Sequence, residues 1–104
     1  MSQDVKGTFT SAGSVGVGAL SADLLIPSGC VVMYLSLAGT IDASNTAKTQ
    51  KSTDQGASWS DVTTYNSAQS LTPVTVATGE RWRFALVTQQ ASKDMRYALS
   101  AQSA

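Results

Sequence analysis

Histidine is absent from the 104 residues, and cysteine occurs once. Without an imidazole, the Ser-His-Asp and Cys-His nucleophile arrangements, histidine general bases and histidine metal sites are all excluded. Cys30 has no second thiol to join, so the fold does not depend on an oxidising compartment. It opens the apolar run CVVMYLSL, where a buried, unreactive thiol is the expectation. Charge is scarce as well: Asp, Glu, Lys and Arg make up 13% of the chain, against about 25% in ordinary domains. Seven basic residues balance seven acidic ones. Nucleic-acid binding draws on a basic excess that neutralises phosphates and releases counterions, so no nucleic-acid partner is expected. The weak self-repulsion of a near-neutral polar surface favours membership of an assembly instead. No apolar run approaches the ~18 residues of a membrane helix. The opening MSQDVKG lacks the apolar core of a signal peptide. Neither membrane nor export is expected, and the chain is read as made and kept soluble.

Helical periodicity is missing too. What is present is Val, Thr, Tyr, Phe and Trp in short runs separated by Gly, Pro, Asn and Ser, the pattern of an all-β sandwich or barrel. Strands are expected near residues 5–11, 22–27, 31–38, 46–53, 59–65, 72–77, 80–88 and 94–101. Pro27 and Pro73 then fall at strand ends, where a missing N–H does least harm. With no internal repeat and no break in composition, residues 1–104 read as a single antiparallel β-sandwich domain with short loops.

The clearest alternation lies in ERWRFALV and DMRYALSA. Trp82, Phe84 and Leu86 share one face of the first, and Met95, Tyr97 and Leu99 one face of the second. Arg81, Arg83 and Arg96 lie opposite. Both apolar sets reach one core if the two strands form a hairpin pairing Leu86 with Met95, Phe84 with Tyr97 and Trp82 with Leu99. The loop is then Gln89-Gln90-Ala91-Ser92, a common hairpin length. In VVMYLSLAG, Met33, Leu35 and Leu37 form another core-facing set. Val32 and Tyr34 face the other way, under either a covering loop or another chain. The glycine-rich TSAGSVGVGALSA reads either as a surface loop or, within residues 1–20, as part of an extended arm lying against a neighbouring subunit.

STDQGASW, residues 52–59, fits the Asp-box pattern Ser-x-Asp-x-Gly-x-Ser/Thr-Trp at every specified position. Between two strands, Asp54 can accept N–H bonds from its own turn, and Gly56 can supply a positive φ. Ser58 can bond back across the turn and Trp59 can cover the corner. None of these roles involves a substrate. The stretch resembles the Asp-boxes of sialidases and related propellers, but those repeat the box and set arginines and a Tyr/Glu pair in a central cleft. Here there is one box and one glutamate, Glu80. Asp54 with Asp61 or Glu80 could form an acid/base carboxylate pair, yet nothing raises them above ordinary surface acids. No catalytic, cofactor-binding or metal residue is assigned.

A second resemblance spans about residues 7 to 102. The chain opens with GTF, runs an apolar strand into LSLAGT, sets Lys51 before its Asp-box-like turn, follows Glu80 with an aromatic–Arg pair in ERWRF and closes on RYALS. In that order it resembles small virion structural proteins of tailed bacteriophages, of the capsid decoration or cement type. The resemblance implies a β-sandwich, of which the jelly roll is one form, placed on the outer surface of the capsid. It implies no enzymatic activity. The major capsid protein is the expected partner, with self-association as a dimer, or a trimer as the second choice. Candidate contacts are Val32, Tyr34, Arg81, Arg83 and Arg96. The alternatives are a fibre or tail attachment protein and a carbohydrate-binding module stacking sugars on Trp59, Tyr65 or Trp82.

Overall fold

The computed structural model describes residues 2–9, 20–89 and 93–103. They form eight strands: β1 (Ser2–Phe9), β2 (Leu24–Leu25), β3 (Cys30–Gly39), β4 (Thr46–Ser52), β5 (Ser60–Tyr65), β6 (Gln69–Thr75), β7 (Arg81–Thr88) and β8 (Met95–Ser103). Each falls on an expected run. The 22–27 run shortens to two residues, extended by an isolated bridge between Leu20 and Ala85. Of the 1–20 segment offered as an extended arm, residues 2–9 form β1, and 10–19 lie outside the described residues.

The strands make two antiparallel sheets, ordered β1-β8-β3-β6 and β2-β7-β4-β5. Strand pairs β1·β8, β2·β7, β3·β6 and β4·β5 are all hydrogen-bonded. The chain is thus one long antiparallel ribbon, folded back at the β4–β5 turn and wrapped so that successive pairs alternate between sheets. That is the winding of an eight-stranded jelly roll.

This winding overturns the expected hairpin between the last two strands. β7 pairs with β2 and β4, whereas β8 pairs with β1 and β3 in the other sheet. Both apolar sets do face one core, but from opposite sides of it. Phe84 and Tyr97 meet across the sandwich with ring centroids 5.8 Å apart. Alternation reports only that a side chain points inward. A hairpin partner and a facing sheet satisfy it equally well. Of the loop proposed for that hairpin, Gln90 to Ser92 lie outside the described residues. Gln89 is buried, and its Nε2 donates to the carbonyls of Phe9 and Lys93, 2.7 Å each, tying the end of β1 to the start of β8.

The core is filled from both sheets, by Met33, Leu35, Leu37 and Leu99 on one side and Trp82, Phe84 and Leu86 on the other. Cys30 is fully buried among them, as expected. Gly7 pairs with Tyr97, and a Cβ there would lie 2.5 Å from the Tyr97 hydroxyl oxygen, so the glycine makes room for the ring. Phe9 closes the same cluster, 4.7 Å from Tyr97. Pro73 sits inside β6 rather than at its end. That strand is a sheet edge, where proline is tolerated because one side of the strand has no ladder to lose.

Candidate functional site

The Asp-box is the tip of the ribbon, joining β4 to β5. Its first serine organises it. Ser52 is 1% exposed, and its hydroxyl accepts the N–H of Gly56 at 2.8 Å and of Asp54 at 3.3 Å while donating to Asp54 Oδ1 at 2.7 Å. Ser58 donates its N–H to Asp54 Oδ1 at 2.9 Å and its hydroxyl to Asp54 Oδ2. These donors hold the carboxyl of Asp54 well below its usual range. The Ser58 hydroxyl contributes most and the Ser52 hydroxyl next, and together they bring the pKa from 3.8 to about 2. Gly56 has φ 90°, as expected, and Gln55 beside it also turns left-handed at φ 62°. Trp59 folds back over the turn, its Nε1 donating to the Gly56 carbonyl at 3.2 Å. The roles read for Asp54, Gly56, Ser58 and Trp59 are those the structure shows. The role of Ser52 is not legible from the sequence. The box pattern names that serine, but only its burial under the turn reveals two N–H groups converging on one oxygen.

From the box a polar network crosses the outer face of the β2-β7-β4-β5 sheet. The Arg83 guanidinium lies 3.9 Å from the centroid of the Trp59 ring, and its Nε donates to Gln50 Oε1 at 2.8 Å. Gln50 Nε2 donates to Asp61 Oδ1 at 2.9 Å, and Lys48 Nζ reaches Asp61 Oδ2 at 3.0 Å. Hydrogen bonds from Gln50 and Lys48, in that order, lower the pKa of Asp61. Glu80 is engaged likewise. Its Oε1 accepts the N–H of Ala77 at 2.8 Å and Trp82 Nε1 at 3.2 Å, and its Oε2 faces Lys51 Nζ at 3.5 Å. Each carboxylate weighed as an acid or base therefore serves its own turn or strand face. Among the described residues, no group of three or more His, Cys, Asp or Glu side chains converges.

The five candidate interface residues do not form one surface. Arg81 and Arg83 lie on β7, and Val32, Tyr34 and Arg96 on the other sheet, where the alternation of β3 and β8 turns them outward. A hairpin of the last two strands would set the three arginines on one face, and the winding separates them. Arg81 is half-buried, and its Nε lacks a partner among the described residues.

The outer face of the β1-β8-β3-β6 sheet is of a different character. Register sets Asp4, Ser100, Tyr34 and Pro73 in one row across it, and Lys6, Ala98 and Ser36 in the next. Thr8, Arg96 and Ala38 make a third row. Charge is thus confined to the β1 and β8 side, and the β3–β6 side is uncharged. There Val32 and Tyr34 are half-buried, with Val31 59% and Leu71 66% exposed along the border.

The aromatic rings wanted for sugar stacking are mostly committed. Trp82 is 2% exposed, and Trp59 already carries Arg83. Compared with protein-family models, curated proteins and solved structures, the chain matches none.

Proposed function

We propose that this chain is a non-enzymatic structural protein of a bacteriophage virion, a decoration or cement protein that binds the outside of the capsid and bridges adjacent subunits. The observation that carries the reading is the uncharged β3–β6 side of the outer face of the β1-β8-β3-β6 sheet, with half-buried Val32 and Tyr34 on it and Val31 and Leu71 exposed beside them. Such a patch gains from being covered, and a major capsid protein is the partner the sequence resemblance implies. On the opposite face Arg83, Gln50, Asp61 and Lys48 are paired with one another, and it serves better towards solvent. Eight-stranded jelly rolls recur in virus shells and in lectins, and the commitment of both tryptophans favours the first of these here. The mechanism is burial: each copy covers a joint between subunits, and simultaneous contact with more than one neighbour multiplies modest affinities.

The test is co-sedimentation of the chain with capsid shells prepared without it. Saturable binding that Tyr34→Asp abolishes, while the variant keeps its unfolding midpoint, is the expected result. A chain that stays in the supernatant at every ratio, or a Tyr34→Asp variant that binds as well as the original, would overturn the proposal.

A further inference from the structure

Four strands lie at sheet edges, and three of them carry a device that discourages pairing with another chain. β2 is only two residues long. β5 extrudes Val62 as a bulge, since Gln50 pairs with Asp61 and Thr49 with Thr63. β6 contains Pro73 and bends at Leu71, where φ is 48°. The fourth edge, β1, has neither proline nor bulge. Its residues run in unbroken register along β8, from Ser2 opposite Gln102 to Phe9 opposite Met95. Among the described residues no strand pairs with its other side. An edge lysine is a usual guard, and β1 has Lys6, but Asp4 stands two residues away on the same face with the opposite charge. Both are exposed, and neither has an ion-pair partner among the described residues.

We propose that β1 is a self-pairing edge through which two copies of this chain join, antiparallel and centred on Val5. The register follows from geometry. Along a strand, the N–H and C=O groups that point to one side belong to alternate residues. A strand meeting its own copy antiparallel must therefore be centred on a residue, here Asp4, Val5 or Lys6, and not between two. Centring on Asp4 sets two carboxylates face to face, and centring on Lys6 sets two ammonium groups face to face. Centring on Val5 places each copy's Asp4 opposite the other's Lys6, two complementary pairs flanking the axis. The overlap runs from Ser2 to Thr8 and leaves out Phe9, whose carbonyl already accepts from Gln89. The two-fold axis stands perpendicular to the sheets, so both copies present their Tyr34 faces on the same side. The joined sheet is continuous across the axis, and the contact is isologous and closes at two copies. This pairing does not depend on the capsid reading and holds whether or not a shell binds.

A charge-swap series on the full chain tests it by light scattering. The wild type should show twice the 10.8 kDa of one chain. Asp4→Lys alone and Lys6→Asp alone each set like charges opposite one another on both sides of Val5, and should dissociate at least tenfold more readily. The double variant restores complementary pairs and should regain the dimer. Both positions are exposed, so the unfolding midpoint of each monomer should be little changed. A monomeric or trimeric wild type, single variants that remain dimers, or a double variant that stays monomeric would overturn the proposal. Amide exchange reads the same contact without substitution. The β1 amides that point away from β8 should gain protection as concentration rises, and a dimer that leaves them exchanging freely joins elsewhere and refutes the pairing.

Discussion

Replacing Ser52 by alanine removes one oxygen and three hydrogen bonds from the β4–β5 turn. The Asp54 carboxylate is exposed and is re-solvated by water, so the loss of that bond counts for little. The N–H of Gly56 is different: its 2.8 Å bond to the Ser52 oxygen is partly buried, and alanine offers no acceptor. An amide left in this state costs about 1–3 kcal/mol. The longer 3.3 Å bond from the Asp54 N–H adds a fraction of that. A loss of about 2 kcal/mol is therefore expected. At the scale of a domain this size it corresponds to a fall in Tm of roughly 8–16 °C. Urea unfolding followed by tryptophan fluorescence measures it, with the slope against denaturant unchanged. Ser58→Ala is the internal comparison, because that hydroxyl is exposed and serves only Asp54, and its midpoint should move far less. If Ser52→Ala unfolds at the same urea concentration as the wild type, or if Ser58→Ala is the more damaging, then Ser52 does not organise the box and the reasoning fails.

Three further outcomes are expected. The folded pKa of Asp54, about 2, lies below the ordinary 3.8, so the unfolded chain takes up the proton first. Its contribution to stability is complete above 3.8 and is lost as pH falls towards 2; the urea midpoint of Asp54→Asn should therefore fall less steeply than that of the wild type over this interval. Arg83→Ala uncovers one face of the Trp59 ring, so acrylamide quenching of that tryptophan should rise while Trp82 stays protected, with a loss of stability of about 1 kcal/mol or less. Gly39→Ala should be far more costly, because φ there is 93° and the added Cβ meets the backbone carbonyl of Asp94; a loss of over ~2 kcal/mol is expected in thermal melts.

The strands were legible because each carries its own signal, a run of alternating apolar residues closed by Gly, Pro, Asn or Ser. The box was legible because its pattern specifies side chains that act within a few residues of one another. Pairing was not. Trp82, Phe84 and Leu86 carry the same alternation whether Met95, Tyr97 and Leu99 lie beside them or across the core. Nothing local to residues 81–99 tells the two apart, since the choice depends on β1 and β3 enclosing β8. The error carried into the candidate interface and merged the arginines of two opposite faces. The stacking of Arg83 on Trp59 was hidden for a related reason: it joins the box to β7, a strand that lies beside β4 only once the ribbon has wrapped.

A domain that acts by covering a shell, as proposed, is tested most directly by imaging capsids with and without it. Added density is expected on the outer surface over the joints between capsid subunits, with the face bearing Val32 and Tyr34 turned inwards and the Asp-box network turned to solvent. Density confined to the tail or a fibre, or a bound domain that turns the Arg83–Trp59 face to the shell, would contradict it.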